Sequence, residues 1–419
     1  MHKWFPIVCL AVGCVLHDLH ATPWRTQALL PQIHTVQAQL SDNPLALPVI
    51  ELNSDQQMRI SFDELSYERR NFNYKIVHCN ADWTPSALSE VEYIDGFYDG
   101  IIDDYALSTN TTTLYTHYQL LVPNDELRLK VSGNYAVLIA ENNDFDHLAA
   151  VACFSVVDSR IGVTGAVRTN TDIELSNRYQ QLDFELHTNG YEVRDPFNEL
   201  KVTVRQNQRW DNAATNLQPT YTSTTTQAYK NNRQLIFEGG NQYRSIDFSS
   251  EYTYGAGIER IVFDHEQFHV LLTPGDLRTK RSVAQGDDAN GRYLVNRQLS
   301  DDNDSEADYM WVHFVLPMDE PFLTGSIYLI GELCGNDIGE QARMTYDFAE
   351  HAYIKSLLLK QGGYNFQYLY VPKNSTTGSL QPTEGSYWQT ENEYTIYVYH
   401  RAWGERYDRL VAVKTIYSN

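Results

Sequence analysis

Along most of this chain, apolar and polar residues alternate with a period of two rather than 3.6. The runs "QQMRISFDEL", "NYKIVHC", "TLYTHYQLLVP", "YAVLIAE" and "AVACFSVVD" are short and β-rich. Turn residues such as Pro123-Asn124 and Ser132-Gly133-Asn134 separate them. Strands at this spacing predict an antiparallel β-sandwich over residues 45–158. A second series, "QQLDFELHTNGY", "ELKVTVRQ", "RQLIFEGG", "RSIDFSS" and "IERIVFD", predicts a middle β domain over 159–304. A third, from "MWVHFVLP" through "SIYLIGEL", "YIKSLLLKQGGYNFQYLYVP" and "NEYTIYVYHR" to "RLVAVKTIYS", predicts a C-terminal β domain over 305–419. Helices are sparse, and the best short candidate is "PSALSEVEYI", capped by Thr84 with Pro85 at its start. The expected architecture is all-β, with tandem immunoglobulin-like sandwiches. No repeat of fixed period accompanies it.

At 419 residues the length suits about three domains of ~150 residues. The charge is lopsided: 32 Lys and Arg against 54 Asp and Glu give −22. Phosphate neutralisation needs a basic patch, so this balance argues against nucleic acid and against an anionic membrane surface. It favours solubility and a polar or basic protein partner. The 29 tyrosines suit strands that pack one edge while the hydroxyl stays wet.

The opening "MHKWFPIVCLAVGCVLH" reads as an export signal, too short to remain a membrane-spanning helix. Residues 1–21 are expected to be removed by signal peptidase after Ala21, leaving 22–44 as an N-terminal segment. "AVGC" loosely resembles a lipobox and offers a second route, lipidation at Cys14. Ala11, where a lipobox usually has Leu, favours plain cleavage. The remaining cysteines, Cys79, Cys153 and Cys334, are odd in number and lack CxxC spacing. They are neither a disulfide framework nor a zinc cluster, although a Cys79–Cys153 bridge stays open.

Three stretches invite chemistry. "DHEQFH" places His265-Glu266-Gln267-Phe268-His269 in the H-E-x-x-H pattern of zinc proteases, which works on a helix. The flanks here are β-like and Pro274 follows closely, so convergence of His265 and His269 is not expected. Asp301, Asp302, Asp304 and Glu306 invite calcium, but the spacing is not that of an EF-hand, and a solvated interdomain linker is the expectation. "HCNADW" crowds His78, Cys79, Asn80, Asp82 and Trp83 together. Alternation puts His78 and Cys79 on opposite faces of a strand. Asn80 and Asp82 are turn formers, and Trp83 is the expected apolar anchor of the corner. Structural satisfaction of these polar groups outweighs a metal site. G-x-S-x-G, Walker and G-x-G-x-x-G patterns are absent from the sequence.

The stretch "YKIVHCNADWTPSALSEVEYIDGFYDGIIDDYALSTNTTTLYTHYQLLVPN…VSGNYAV" resembles the N-terminal signature of the type IX secretion system plug protein family of Bacteroidota. His78, Cys79, Asn80, Asp82, Trp83, Tyr93, Gly96 and Asn134 carry it as a structural signature. "DDANGRYLV", "EADYMWVHFVL" and "TENEYTIYVYHRAWGERYDRLVAV" resemble later blocks of the family. The resemblance implies a non-enzymatic periplasmic protein, without cofactor, metal or small-molecule substrate. It would be associated with the outer membrane, with the translocon barrel of that system as its partner. It does not say which residues touch the barrel. More weakly, "IYLIGEL…MTYD…YIKSLLLKQGGYNFQYLY" is similar to the early-set immunoglobulin-like domains of starch and glycogen enzymes. That likeness sets up the alternative of a carbohydrate-binding protein, with Trp388 and Trp403 stacking on sugar rings.

Overall fold

A computed structural model describes residues 23–173, 178–280, 283–284, 286 and 288–418. The expected signal segment, its cleavage after Ala21 and lipidation at Cys14 lie outside these residues. The described chain is all-β, built of mainly antiparallel sheets that stack as sandwiches, with three one-turn α-helices.

In the first sandwich, Leu148–Val157, Gly133–Glu141 and Phe72–Cys79 form the centre of one sheet, and Gln27–Ala28 and Asp99–Ile101 lie at its edges. Ile33–Leu40, Met58–Glu64, Thr116–Val122 and Asp104–Leu107 form the facing sheet. The expected N-terminal segment therefore supplies two strands of this domain, one in each sheet. Phe62, Phe72 and Tyr118 fill the core, with ring centroids 5.0–5.1 Å apart. Phe72–Cys79 alternates buried and half-buried, as its sequence pattern predicts. Gly133–Glu141 and Leu148–Val157 are buried at almost every position. Their second face is covered too, by Trp83 and its neighbours and by Leu410, Tyr397 and Tyr399. A strand covered on both sides has no reason to alternate.

The strand pairing departs from the expected contiguous domains at 159–304 and 305–419. The second sandwich stacks Gly162–Arg168, Tyr179–His187, Thr226–Tyr229 and Ile236–Glu238 on a three-stranded sheet. That sheet is Leu200–Gln206, Asn392–His400 and Arg409–Ser418. Its core joins Leu182, Phe184 and Val202 to Ile396 and Val398. The third sandwich occupies the interval. One of its sheets is Ile258–Phe263, Phe268–Leu272, Tyr309–Pro317, Ala352–Lys360 and Thr345–Asp347. The other holds Arg244–Asp247, Gly362–Pro372, Tyr293–Val295 and Gly325–Ile330. The third unit is thus inserted into the second. Alternation identifies strands but says nothing about which strand each will pair with.

The expected helix at Pro85 is also corrected. Asp82 Oδ1 accepts from Thr84 N and Thr84 Oγ1 at 3.0 and 2.6 Å, and Asn80 N donates to Thr84 O at 2.9 Å, so the chain makes a tight turn there. One helical turn follows at Glu90–Tyr93, where the Glu92 carboxylate accepts from Ser89 N at 2.8 Å.

Candidate functional site

The signature residues meet the end of the chain. His78 is buried and held at both ring nitrogens, Nδ1 2.9 Å from Ser86 Oγ and Nε2 3.3 Å from Ser132 O. Tyr135 and Tyr407 stand edge-on to its ring, with centroids 5.0 and 5.3 Å away. Burial pushes its pKa down to about 4, which keeps it neutral near pH 7. Gly133, at φ +147°, makes room for it: a Cβ there would sit 2.3 Å from His78 Nε2. Asn134 is fully buried. Its Nδ2 donates to Asn80 O at 2.9 Å, and its Oδ1 accepts from Ser155 at 2.8 Å and from Tyr399 OH at 3.0 Å.

Asp408 completes this joint. It accepts from Ala81 N at 3.0 Å and pairs with Lys201 at 3.0 Å and Arg401 at 2.7 Å. Arg401 in turn donates to Asn80 Oδ1 at 2.5 Å. First and second sandwiches therefore share one buried polar network, and the His-Cys-Asn corner is its first-sandwich half. Tyr93 donates to Ile76 O at 3.0 Å. Gly96, at φ +103°, lets Glu126 O approach where a Cβ would clash. Trp83 adopts φ +67° and caps the outer face of the sheet with Cys79, Cys153 and Trp210. It is more than a corner anchor, because its ring meets Trp210 of the second sandwich edge-on at 6.1 Å.

Cys79 and Cys153 are free, buried thiols on either side of Gly133–Glu141, in register with Asn134 and Ala136. Two strand spacings and a two-residue offset along the strand separate their Cα atoms by about 12 Å. A disulfide tolerates ~7 Å between Cα atoms, so no bridge forms. Burial raises both thiol pKa values, that of Cys153 to about 12, so neither is a ready nucleophile.

A second joint links the first and third sandwiches. Asp63 is fully buried and accepts from Lys360 Nζ at 2.6 Å and Tyr309 OH at 2.7 Å, with His117 Nδ1 2.6 Å away. Burial opposes its charge, but Lys360 and His117 outweigh burial and hold its pKa below the usual carboxylate range. Asp308 accepts from Thr112 N at 2.7 Å, Thr112 Oγ1 at 2.6 Å and Thr113 N at 3.0 Å.

The acidic stretch is part of this joint, which corrects the expected solvated linker. Asp302 caps the turn Asn303–Glu306, Asp304 pairs with Arg59 at 2.5 Å, and Glu306 accepts from Ser300 Oγ at 2.6 Å. Asp301 stays exposed. Sequence shows the charges but not Arg59, which lies 245 residues away. The central residues of the two joints, Asp63 with Lys360 and Asp408, were missed for the same reason. Their one legible signal is a charge inside or beside an apolar run, as in "ISFDE" and "LLLKQ".

In "DHEQFH", Asp264 Oδ1 accepts from Glu266 N and Gln267 N, both at 3.0 Å, and closes a hairpin turn. His265 sits in that turn at φ +84°, and His269 lies on the following strand. The helical face a zinc protease needs is not formed. No group of three or more His, Cys, Asp or Glu among the described residues is placed to hold a metal ion. Trp388 is half-buried and Trp403 is 97% exposed. Neither lines either of two clefts, of 420 and 740 Å³, found among the described residues of the third sandwich.

Comparison with known proteins agrees with the signature. A crystal structure of a hypothetical protein from Parabacteroides merdae superposes with a TM-score of 0.92 at 42% sequence identity, covering 94% of this chain and 99% of that one. No curated protein matches. Residues 33–158, the first sandwich with its His-Cys-Asn corner, match the model described as the Type 9 secretion system plug protein 1st domain. The chain belongs to the type IX secretion system plug protein family.

Proposed function

We propose that this chain is a non-catalytic plug that seals the outer-membrane translocon channel of the type IX secretion system from the periplasmic side. The observation that best supports this reading is the pair of buried joints, Asp408 with Lys201 and Arg401, and Asp63 with Lys360 and His117. A pore seal has to keep its outline under load. Three sandwiches pinned through buried charge hold their relative placement better than three on flexible linkers. The charge of −22 suits a seal that must also let go, since it keeps the free form soluble.

The test is a deletion strain with an intact translocon. Large antibiotics or dyes should enter it more readily than its parent, and equal permeability would count against a plug. Detergent extraction of the tagged chain from native outer membrane should recover a large barrel protein. Recovery of glycans without a barrel would favour the carbohydrate-binding alternative. Mass spectrometry of the mature N-terminus decides between cleavage after Ala21 and a lipid on Cys14.

A further inference from the structure

Two short strands, separated only by Ile102 and Asp103, end the two sheets of the first sandwich. Asp99–Ile101 pairs with Phe72–Cys79, and Asp104–Leu107 pairs with Thr116–Val122. Among the described residues neither has a strand on its other side. Ile76 N donates to Tyr98 O at 2.8 Å, and Ile102 N donates to Phe72 O at 2.9 Å. Bonded and non-bonded positions alternate in an antiparallel ladder. Asp99 and Ile101 therefore turn their N–H and C=O groups away from Phe72–Cys79, toward the open side. Ser108 N donates to Tyr115 O at 2.9 Å, and the same count leaves Tyr105 and Leu107 facing outward on the second strand.

The side chains along the first edge combine apolar bulk with negative charge. Phe97 is 65% exposed and Ile101 55%, and Tyr105 and Leu107 are exposed as well. Tyr98, Gly100 and Ile102 are half-buried or buried. Asp95, Asp99, Asp103 and Asp104 are exposed, and the sequence has no Lys or Arg from Ile76 to Leu127. Arg69 pairs with Asp103 at 2.7 Å. Lys75 is in register with Asp99 but rests its ammonium 5.6 Å from the Tyr98 ring, which leaves Asp99 without an ion pair among the described residues. A charge on an edge strand discourages unwanted pairing, and Asp99 serves that end. It does not account for Phe97 and Ile101, which stand in water on either side of it.

We propose that Asp99–Ile101 is a docking edge, to which an extended segment of another protein adds as a strand. That segment carries Lys or Arg opposite Asp99 and apolar residues opposite Phe97 and Ile101. The open N–H and C=O groups supply main-chain hydrogen bonds, and the alternating side chains supply selection. Charge names the occupant. A second copy pairing antiparallel about Asp99 sets the two Asp99 carboxylates against each other, and any other register still brings two acidic edges together. A basic segment meets the same row with opposite charge, and the −22 of the whole chain draws it in. The inference stands whether or not the chain seals a channel.

The experiment titrates the full chain with fluorescent nonapeptides, read by anisotropy. One is Val-Thr-Val-Thr-Lys-Thr-Val-Thr-Val, and the others place Gln or Glu at its centre. The Lys peptide should bind about tenfold more tightly than the Glu peptide, with the Gln peptide between them. It should also slow hydrogen exchange at the Asp99 and Ile101 amides. Asp99→Lys should reverse the order of the three. Ile101→Pro removes an N–H that serves no bond to Phe72–Cys79, so it should keep the fold and abolish binding of all three. Glu320→Lys, an exposed change of the same sign on the third sandwich, should leave affinity within about twofold because a distant exposed charge is screened. Equal binding of the Lys and Glu peptides, binding of none of them, or an order that survives Asp99→Lys overturns the proposal. So does a parent that sediments as a dimer where Ile101→Pro is a monomer, since the occupant is then a second copy.

Discussion

His78 shows how a reactive-looking residue becomes a structural one. Its neutral ring is wedged between Tyr135 and Tyr407 and held at both nitrogens. Its pKa is lowered by burial to about 4, against 6.5 in an unfolded chain. The unfolded form therefore takes up the proton first, and the stability tied to neutral His78 is complete above pH 6.5. It is lost as pH falls from there to 4, by about 3 kcal/mol in all. In urea melts at stepped pH, His78→Gln should remove this component, and a profile identical to the parent's would refute it. Asp408 adds to it. Asp408→Ala leaves Ala81 N without its acceptor and Lys201 and Arg401, both about a third exposed, without their carboxylate, and should lower stability by about 1–3 kcal/mol. Loss of under 1 kcal/mol in the same melts would show that the pair is solvated. Sequence alternation already separates His78 from Cys79. It carries no trace of Asp408, because that contact closes over more than three hundred residues.

Strands were legible wherever one face meets solvent, as in Phe72–Cys79. Where both faces are covered the pattern becomes a plain apolar run, and the pairing of that run cannot be read from it. Asn392–His400 is the clearest case. All nine of its residues are buried, Ile396 and Val398 toward the second core and Tyr397 and Tyr399 toward the first sandwich. The final two strands therefore belong to the second unit although they follow the third in sequence. A chain ending before Asn392 should lose the second sandwich and keep the third. Limited proteolysis is expected to degrade residues 159–238 of such a truncation while sparing 244–388, and equal protection of both would contradict the nesting. Trp83→Ala, which uncovers the shared face above Cys79 and Cys153, should cost about 3–5 kcal/mol. Thermal or urea melts would show it.

For the whole molecule, the two joints decide whether three sandwiches behave as one body. Lys360 is the sharpest lever, because it is 1% exposed and its ammonium sits against Asp63 and 4.2 Å above the Tyr115 ring. Lys360→Met should leave each sandwich folded but leave Asp63 with only His117 and Tyr309 as partners, loosening the first unit from the third. Small-angle scattering should then show a larger radius of gyration, and complementing the deletion strain with this variant should restore the permeability barrier incompletely. An unchanged scattering curve would place the rigidity elsewhere. These carboxylates are shielded from solvent, so the parent's shape should be insensitive to salt between 0.05 and 0.5 M, concentrations on the order of those that screen surface pairs.

The nested third sandwich also sets a timetable. During synthesis the first unit and then the third have all their strands available while the second waits with one sheet lacking two strands. Only when Asn392–His400 and Arg409–Ser418 have been made can the second core close. The middle of the chain is therefore the last part to fold. Until then the apolar face of Tyr179–His187 has only Leu200–Gln206 to cover it, and that interval is when this protein most needs a chaperone.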